Sequence, residues 1–234
     1  MRWVESIAGR ISRRNREAKL QQFLRLVAPR EDETIVDVGV ADREYSESDN
    51  YLEKHFPHPE NIVAVAHTSL DHFSLRYPQV RVIIADGRAL PFAVNEFDIA
   101  YSNAVIEHVG SYENQLAFLR ELHRVARRGY LTTPNRRFPI EIHTRIPLLH
   151  VLLPKAWFHR FLTTIGKGWA AGDYMNLLSE HDLRRLLRET AITDFEITRN
   201  RFLGMTMTFS VIWSDRANLA ATRPTARGAG ALTS

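Results

Sequence analysis

The sequence predicts a doubly wound α/β domain, and three observations carry that prediction. Five short β-branched runs lie between residues 34 and 133, apolar at consecutive positions rather than alternating, as in strands buried on both faces. Helical stretches separate them, which is the connection parallel strands require. Two further runs, 195–202 and 205–213, have only Leu203-Gly204 between them, short enough for an antiparallel hairpin. Together these give a Rossmann-like sheet, mostly parallel, that ends in a C-terminal antiparallel hairpin.

The elements follow in order. Leu20, Phe23, Leu24 and Val27 recur at helical spacing, with Arg13, Arg14, Arg16 and Lys19 on the preceding turns and Pro29 beyond them. Residues 1–30 therefore read as a basic, amphipathic N-terminal helix. Strands are expected at 34–38, 61–66, 80–85, 97–101 and 129–133, with a polar, partly helical segment containing Tyr51, Leu52 and His55 between the first two. Leu116, Leu119, Leu122 and Val125 form one face of a helix between the last two. Residues 134–178 lose the strand period and are rich in aromatic, proline and histidine residues, as expected of a lid or acceptor-binding insert. Ser179, with Asp182 three residues on, opens a helix to about residue 190 in the manner of a capping box. The domain proper is expected over 31–213, followed by a disordered tail at 214–234 of Ala, Thr, Arg, Gly and Ser.

The chain has 234 residues, 44% hydrophobic and 25% charged, enough apolar mass for a sizeable core. It has no cysteine, which excludes disulfides, zinc-thiolate sites, iron–sulfur clusters and cysteine nucleophiles. The most apolar stretch, 146–153, is too short to span a bilayer and contains His150. Arg10, Arg13 and Arg14 interrupt any signal-peptide core, so a cytoplasmic protein is expected. The net charge of +4 is unevenly spread: residues 1–30 carry +6 and 214–234 carry +2, which leaves the body at −4. A basic N-terminal helix suits an anionic membrane surface, whereas an acidic body argues against nucleic acid as a partner.

In an open parallel sheet, ligands bind beyond the carboxyl ends of the strands. The first strand ends in Asp37-Val-Gly39-Val-Ala41-Asp-Arg43, an acidic glycine loop with Ala41 and Arg43 where its second and third glycines would stand. A pyrophosphate needs those glycines for close approach, so NAD and FAD are disfavoured, while S-adenosylmethionine carries no phosphate. The third strand runs into Asp86-Gly87-Arg88-Ala89-Leu90-Pro91-Phe92. The fourth begins Phe97-Asp98 and runs into Ser102-Asn103-Ala104-Val105-Ile106-Glu107-His108.

In this order, across residues 33–134, these stretches resemble the class I S-adenosylmethionine-dependent methyltransferase family in its small-molecule branch. The resemblance implies S-adenosylmethionine as cofactor and a set of roles. Asp86 would accept from the adenine amino group, with the Gly87 and Arg88 backbone beside the ring. Gly39 and Ala41 would lie against the methionine part, Asp37 near its ammonium group, and Ser102 and Asn103 at the same end. Taken without the resemblance, Asp86 reads as a cap, Ser102 and Asn103 as turn residues, and Asp37 as a structural acceptor. One departure stands out. The family places a carboxylate at the end of the second strand to grip the ribose hydroxyls, but here that place reads Ala66-His67-Thr68-Ser69-Leu70-Asp71. His67 or Thr68 is left to make a single contact, at a cost of about 1.5–3 kcal/mol, roughly tenfold to hundredfold in affinity.

Methyl transfer is an in-line displacement that rests on positioning and, for some acceptors, proton removal. Ser102-Asn103 differs from the Asn-Pro-Pro-Tyr pattern that suits planar amino groups, which points to a small-molecule acceptor, O-directed and apolar or lipid-linked. His143, with Glu141 two residues before it, is the first candidate for proton removal and His108 the second. For both, packing is the alternative. Glu141, His143 and His150 have no supporting cluster, so no metal is expected. Two further readings stay open on sequence alone: a catalytically silent methyltransferase-like binding domain, from the eroded loop, and an RNA methyltransferase, from the arginine-rich N-terminus.

Overall fold

In the computed structural model, residues 2–139, 157, 160, 163–164 and 175–214 are described. Seven strands form one sheet: β1 (Ile35–Val38), β2 (Ile62–Ala66), β3 (Arg81–Ile84), β4 (Phe97–Asn103), β5 (Ala126–Pro134), β6 (Phe195–Phe202) and β7 (Met205–Ser214). Their order is β3-β2-β1-β4-β5-β7-β6. β1 to β5 are parallel, and β7 runs antiparallel to both β5 and β6, the expected hairpin. The strand order reverses between β1 and β4, so the crevice for a ligand lies at the carboxyl ends of that pair.

Each face of the sheet carries its own core. On one, Phe118, Leu119, Leu122 and Val125 of α4 (Tyr112–Val125) meet Leu183, Leu186 and Leu187 of α5 (Glu180–Glu189), all buried. On the other, α1 (Arg2–Leu26), α2 (Tyr51–His55) and α3 (Asp71–Arg76) bury Leu20, Phe23, Leu52 and Phe73 against Ile35, Ile62 and Ile99. The predicted capping box is present: the Ser179 hydroxyl accepts from the Asp182 N–H, and the Asp182 carboxylate accepts from the Ser179 N–H at 2.9 Å.

Two features differ from the sequence reading. β5 starts at Ala126, directly after α4, and not at residue 129. Arg128, just before the expected start, is charged yet buried. Its Nη1 donates to the Val27 carbonyl at 2.6 Å and its Nη2 pairs with the buried Glu33 carboxylate. β4 continues to Asn103, whose strand partner is Thr132, so Ser102 and Asn103 are strand residues and not turn residues. α1 covers residues 2–26 of the expected 1–30 and packs on the sheet, with Lys19, Leu20, Gln22 and Phe23 all buried. Of the 134–178 insert, residues 140–156, 158–159, 161–162 and 165–174 lie outside the described residues, as does the 215–234 part of the expected tail.

Tyr130 in β5 anchors α1. Its hydroxyl bonds the Lys19 carbonyl at 3.0 Å, Gln22 Oε1 at 2.9 Å and Ser210 Oγ at 3.1 Å. Its ring stacks on Tyr101 at 5.5 Å, and Phe23 packs edge-on to both.

Next to that anchor, Gly129 leaves room for the Trp213 indole: a Cβ there would sit 1.9 Å from Trp213 Cζ2. Trp213 is 2% exposed and has nowhere to move. Gly129→Ala should therefore destabilise the fold by roughly 1–3 kcal/mol. Denaturant unfolding followed by tryptophan fluorescence checks this, and an unchanged midpoint would contradict the packing described.

Candidate active site

A cleft opens at the switch point, lined by Asp37, Gly39, Val40 and Ala41 after β1, by Asn103 and Ala104 after β4, by residues 49–52, and by Arg16 of α1. Gly39 has φ +107°, and a Cβ on it would meet Val105 Cγ2 at 2.2 Å, so glycine is required both for backbone conformation and for close approach. Ala41 is held from the side: its N–H donates to Asn50 Oδ1 at 2.9 Å, and Asn50 Nδ2 donates back to its carbonyl at 2.8 Å. The loop over 39–50 thus replaces glycine flexibility with its own hydrogen bonds. Asp42 adds to this by accepting from the N–H groups of His72 and Phe73 at the start of α3.

Asp37 is 6% exposed, and burial pushes its carboxyl well above the usual range, helped by the neighbouring Glu53 charge and opposed by Arg16. Across the cleft, Asn103 Oδ1 accepts from Thr132 Oγ1 at 2.5 Å and from Lys19 Nζ at 3.5 Å, which turns the Nδ2 end of its amide away from both. Lys19 Nζ also donates to Thr132 Oγ1 at 3.3 Å. Burial lowers the Lys19 ammonium to about 7, with the Arg16 charge adding to the effect and Glu107 opposing it. Sequence reading missed Lys19, because a lysine on a basic helix looks like part of a solvated face.

The predicted cofactor residues divide into two groups. Asp37, Gly39, Ala41 and Asn103 come together in the cleft. His67, Thr68, Asp86 and Arg88 lie further along the sheet, exposed at the ends of β2 and β3. There Arg88 grips Asp86 through Nε at 2.9 Å and Nη2 at 2.6 Å, which holds the Asp86 carboxyl below its usual range. His67 adds to that lowering through its charge. Two residues have other roles. Ser102 is fully buried, with its hydroxyl donating to the Val38 carbonyl at 2.9 Å, so it ties β4 to β1 and does not line the cleft. Gly87 makes room for core side chains, since a Cβ would lie 2.6 Å from Phe118 Cε2 and 3.0 Å from Val38. His108 sits in a 3-10 turn after β4 and is not among the cleft-lining residues. His143, Glu141 and His150 lie outside the described residues. Among the described residues, no group of three His, Asp or Glu could hold a metal, and no helix is long and apolar enough to cross a membrane.

Sheet order, switch-point cleft and acidic residues at the ends of β1 and β3 define a protein of the class I methyltransferase fold. A family model described as a methyltransferase domain matches residues 50–132. Similar solved structures include an S-adenosylmethionine-dependent methyltransferase from Aquifex aeolicus, 17% identical, with a TM-score of 0.52 over 85% of this chain and 88% of that one. The N-terminal domain of EvdMO1 with S-adenosylhomocysteine bound is 15% identical, with a TM-score of 0.52 over 86% and 81%. The CurJ carbon methyltransferase is 13% identical, with a TM-score of 0.55 over 85% and 53%. No curated protein matches the chain by sequence. Over residues 50–132 the chain is thus similar in sequence to methyltransferase domains, and it shares the fold of S-adenosylmethionine-dependent methyltransferases.

The Lys19 environment fixes a pH dependence. Its folded value of about 7 lies below the ordinary 10.5, so between those two values the unfolded chain binds a proton that the folded chain lacks. Stability should then rise with pH across that window, by up to about 1.4 kcal/mol per unit. Lys19→Met should remove the slope and be more stable than the parent below pH 7. Urea unfolding between pH 6 and 9 checks this, and parallel curves for the two proteins would contradict it.

Proposed function

We propose that this protein transfers a methyl group from S-adenosylmethionine to a small-molecule acceptor, most simply an apolar or lipid-linked hydroxyl compound. The observation that carries the cofactor placement is that Asp37 and Arg16 both line one cleft at the switch point. An amino-acid zwitterion needs an anion for its ammonium and a cation for its carboxylate, and this cleft offers one of each. From there the ends of β1, β2 and β3 lead to Asp86, whose carboxylate keeps acceptor capacity for an adenine amino group while Arg88 orients it. Between the two, His67 or Thr68 makes a single ribose contact where a carboxylate would make two, so cofactor affinity is expected to be modest.

Once bound, the cofactor supplies an activated methyl on a sulfonium. The chain's own residues bind, orient and exclude water. Gly39 lets the loop backbone approach, and Asn103 presents an amide donor at the edge of the cleft. Ala104, left-handed at φ 60°, bends the chain away after it. The acceptor side is assigned to the segment after β5, where His143 is the first candidate for taking the acceptor's proton and His108 the second. Support for a small molecule comes from the Ser102-Asn103 pair and from the aromatic character of residues 134–178. A neighbouring fold crystallised with S-adenosylhomocysteine and D-fucose is compatible with such an acceptor. The basic face of α1 suits an anionic membrane surface that would present a lipid-linked acceptor.

Calorimetry should detect S-adenosylhomocysteine binding, and Asp86→Ala should weaken it about tenfold. No binding at millimolar ligand would end the cofactor assignment. Transfer of labelled methyl into the organic-soluble fraction of a cell extract, and not into RNA or protein, is the expected acceptor result, and label in RNA or protein would overturn the acceptor assignment.

A further inference from the structure

Glu53 of α2 follows the cleft-lining residues 49–52 in sequence and neighbours Asp37. It is 4% exposed, and no hydrogen-bond partner from another residue satisfies either of its carboxyl oxygens, whose nearest ionisable neighbour is the Asp37 carboxyl. Asp37 is itself 6% exposed and lines the cleft. Two neighbouring carboxyl groups in so dry a place resist ionising together, because each lacks solvent and repels the other. The charged and titratable groups around them are few. Arg16 of α1 lines the cleft, Lys54 and Glu44 pair with each other at 2.9 Å on the Glu53 side, and the buried Tyr101 hydroxyl lies on the β4 side. Lys54 is shared with Glu44 and with the Asp49 carbonyl at 2.7 Å, so its charge, like that of Arg16, favours ionisation of the pair by less than burial opposes it.

We propose that Glu53 is a positioning residue for Asp37: the two carboxyl groups share one proton in the free protein, and an ammonium group entering the cleft displaces it. This rests on the cofactor assignment above and deepens it. The proton leaves to bulk solvent, a carboxylic acid becomes a carboxylate, and the incoming cation supplies the charge that the proton had provided. Binding of the cofactor's amino-acid end is thereby tied to release of one proton. A ligand with the same adenosine part but no amino group gains nothing from the exchange.

The test uses the full chain and calorimetry in buffers of different ionisation enthalpy between pH 6 and 8. S-Adenosylhomocysteine should bind with release of up to one proton, and its affinity should rise with pH, by up to about tenfold per unit. Methylthioadenosine, which lacks the amino-acid end, should release none. In Glu53→Gln the side-chain amide donates to Asp37 and holds it ionised, so both the proton release and the pH slope should vanish. Binding of S-adenosylhomocysteine without proton release, or an unaltered slope in Glu53→Gln, overturns the proposal. If S-adenosylhomocysteine does not bind at all, the cofactor assignment fails, and the shared proton is read in the free protein by carboxyl carbon NMR. One carboxyl titrating above the usual range, and lost in Glu53→Gln, supports the pair; ordinary titration of both groups overturns it.

Discussion

The docking of α1 across β4 and β5 is the contact on which the site depends. Phe23 wedges edge-on against the stacked Tyr101 and Tyr130 rings, while the Tyr130 hydroxyl reaches back to the Lys19 carbonyl and Gln22. Aromatic burial supplies the driving force, and the hydroxyl sets the register, because a buried phenol without partners would be costly. With that register set, Arg16 comes to the cleft and Lys19 to Asn103 and Thr132. The buried Arg128, bonded to the carbonyl of Val27 and to Glu33, holds the far end of the same helix. The fold thus uses its N-terminal segment as one wall of its own site.

Charge is distributed around that wall by burial. Asp37 and Glu53 lie on the β1 and α2 side, and Lys19 lies on the α1 side with Glu107 near it. Each is kept from water, so each holds its proton state according to its neighbours and not according to solvent. At the other end, Asp86 stands in the open and is ordered by Arg88 instead. A ligand lying along the strand ends would run from a dry, charged end to an exposed one. In the proposed placement the cofactor's amino-acid end would gain most from electrostatics, since low dielectric strengthens every contact there.

Much of the fold was legible because its signals are local. β-Branched runs marked β1, β2 and β3, two residues marked the hairpin, and Ser179 with Asp182 marked the start of α5. Within the site, Asp37, Gly39, Ala41 and Asn103 were legible as a motif and do converge. Ser102 and Gly87 belong to the same motif, but their partners are the Val38 carbonyl and the Phe118 ring, so they serve the core. A motif is kept together by everything the strand end must do, and packing is part of that.

What the sequence alone determined is the order and type of the elements, the absence of thiol chemistry, the acidic body between basic ends, and the missing carboxylate after β2. Those depend on residue type and near spacing. The tertiary structure decided which charges lose their water. Lys19 looks like one more basic residue on a helix, Glu53 like a polar residue on a short one, and Arg128 like a charged residue outside the strand. Each is buried by partners many tens of residues away or on another element, and burial rather than identity sets the protonation state of such groups.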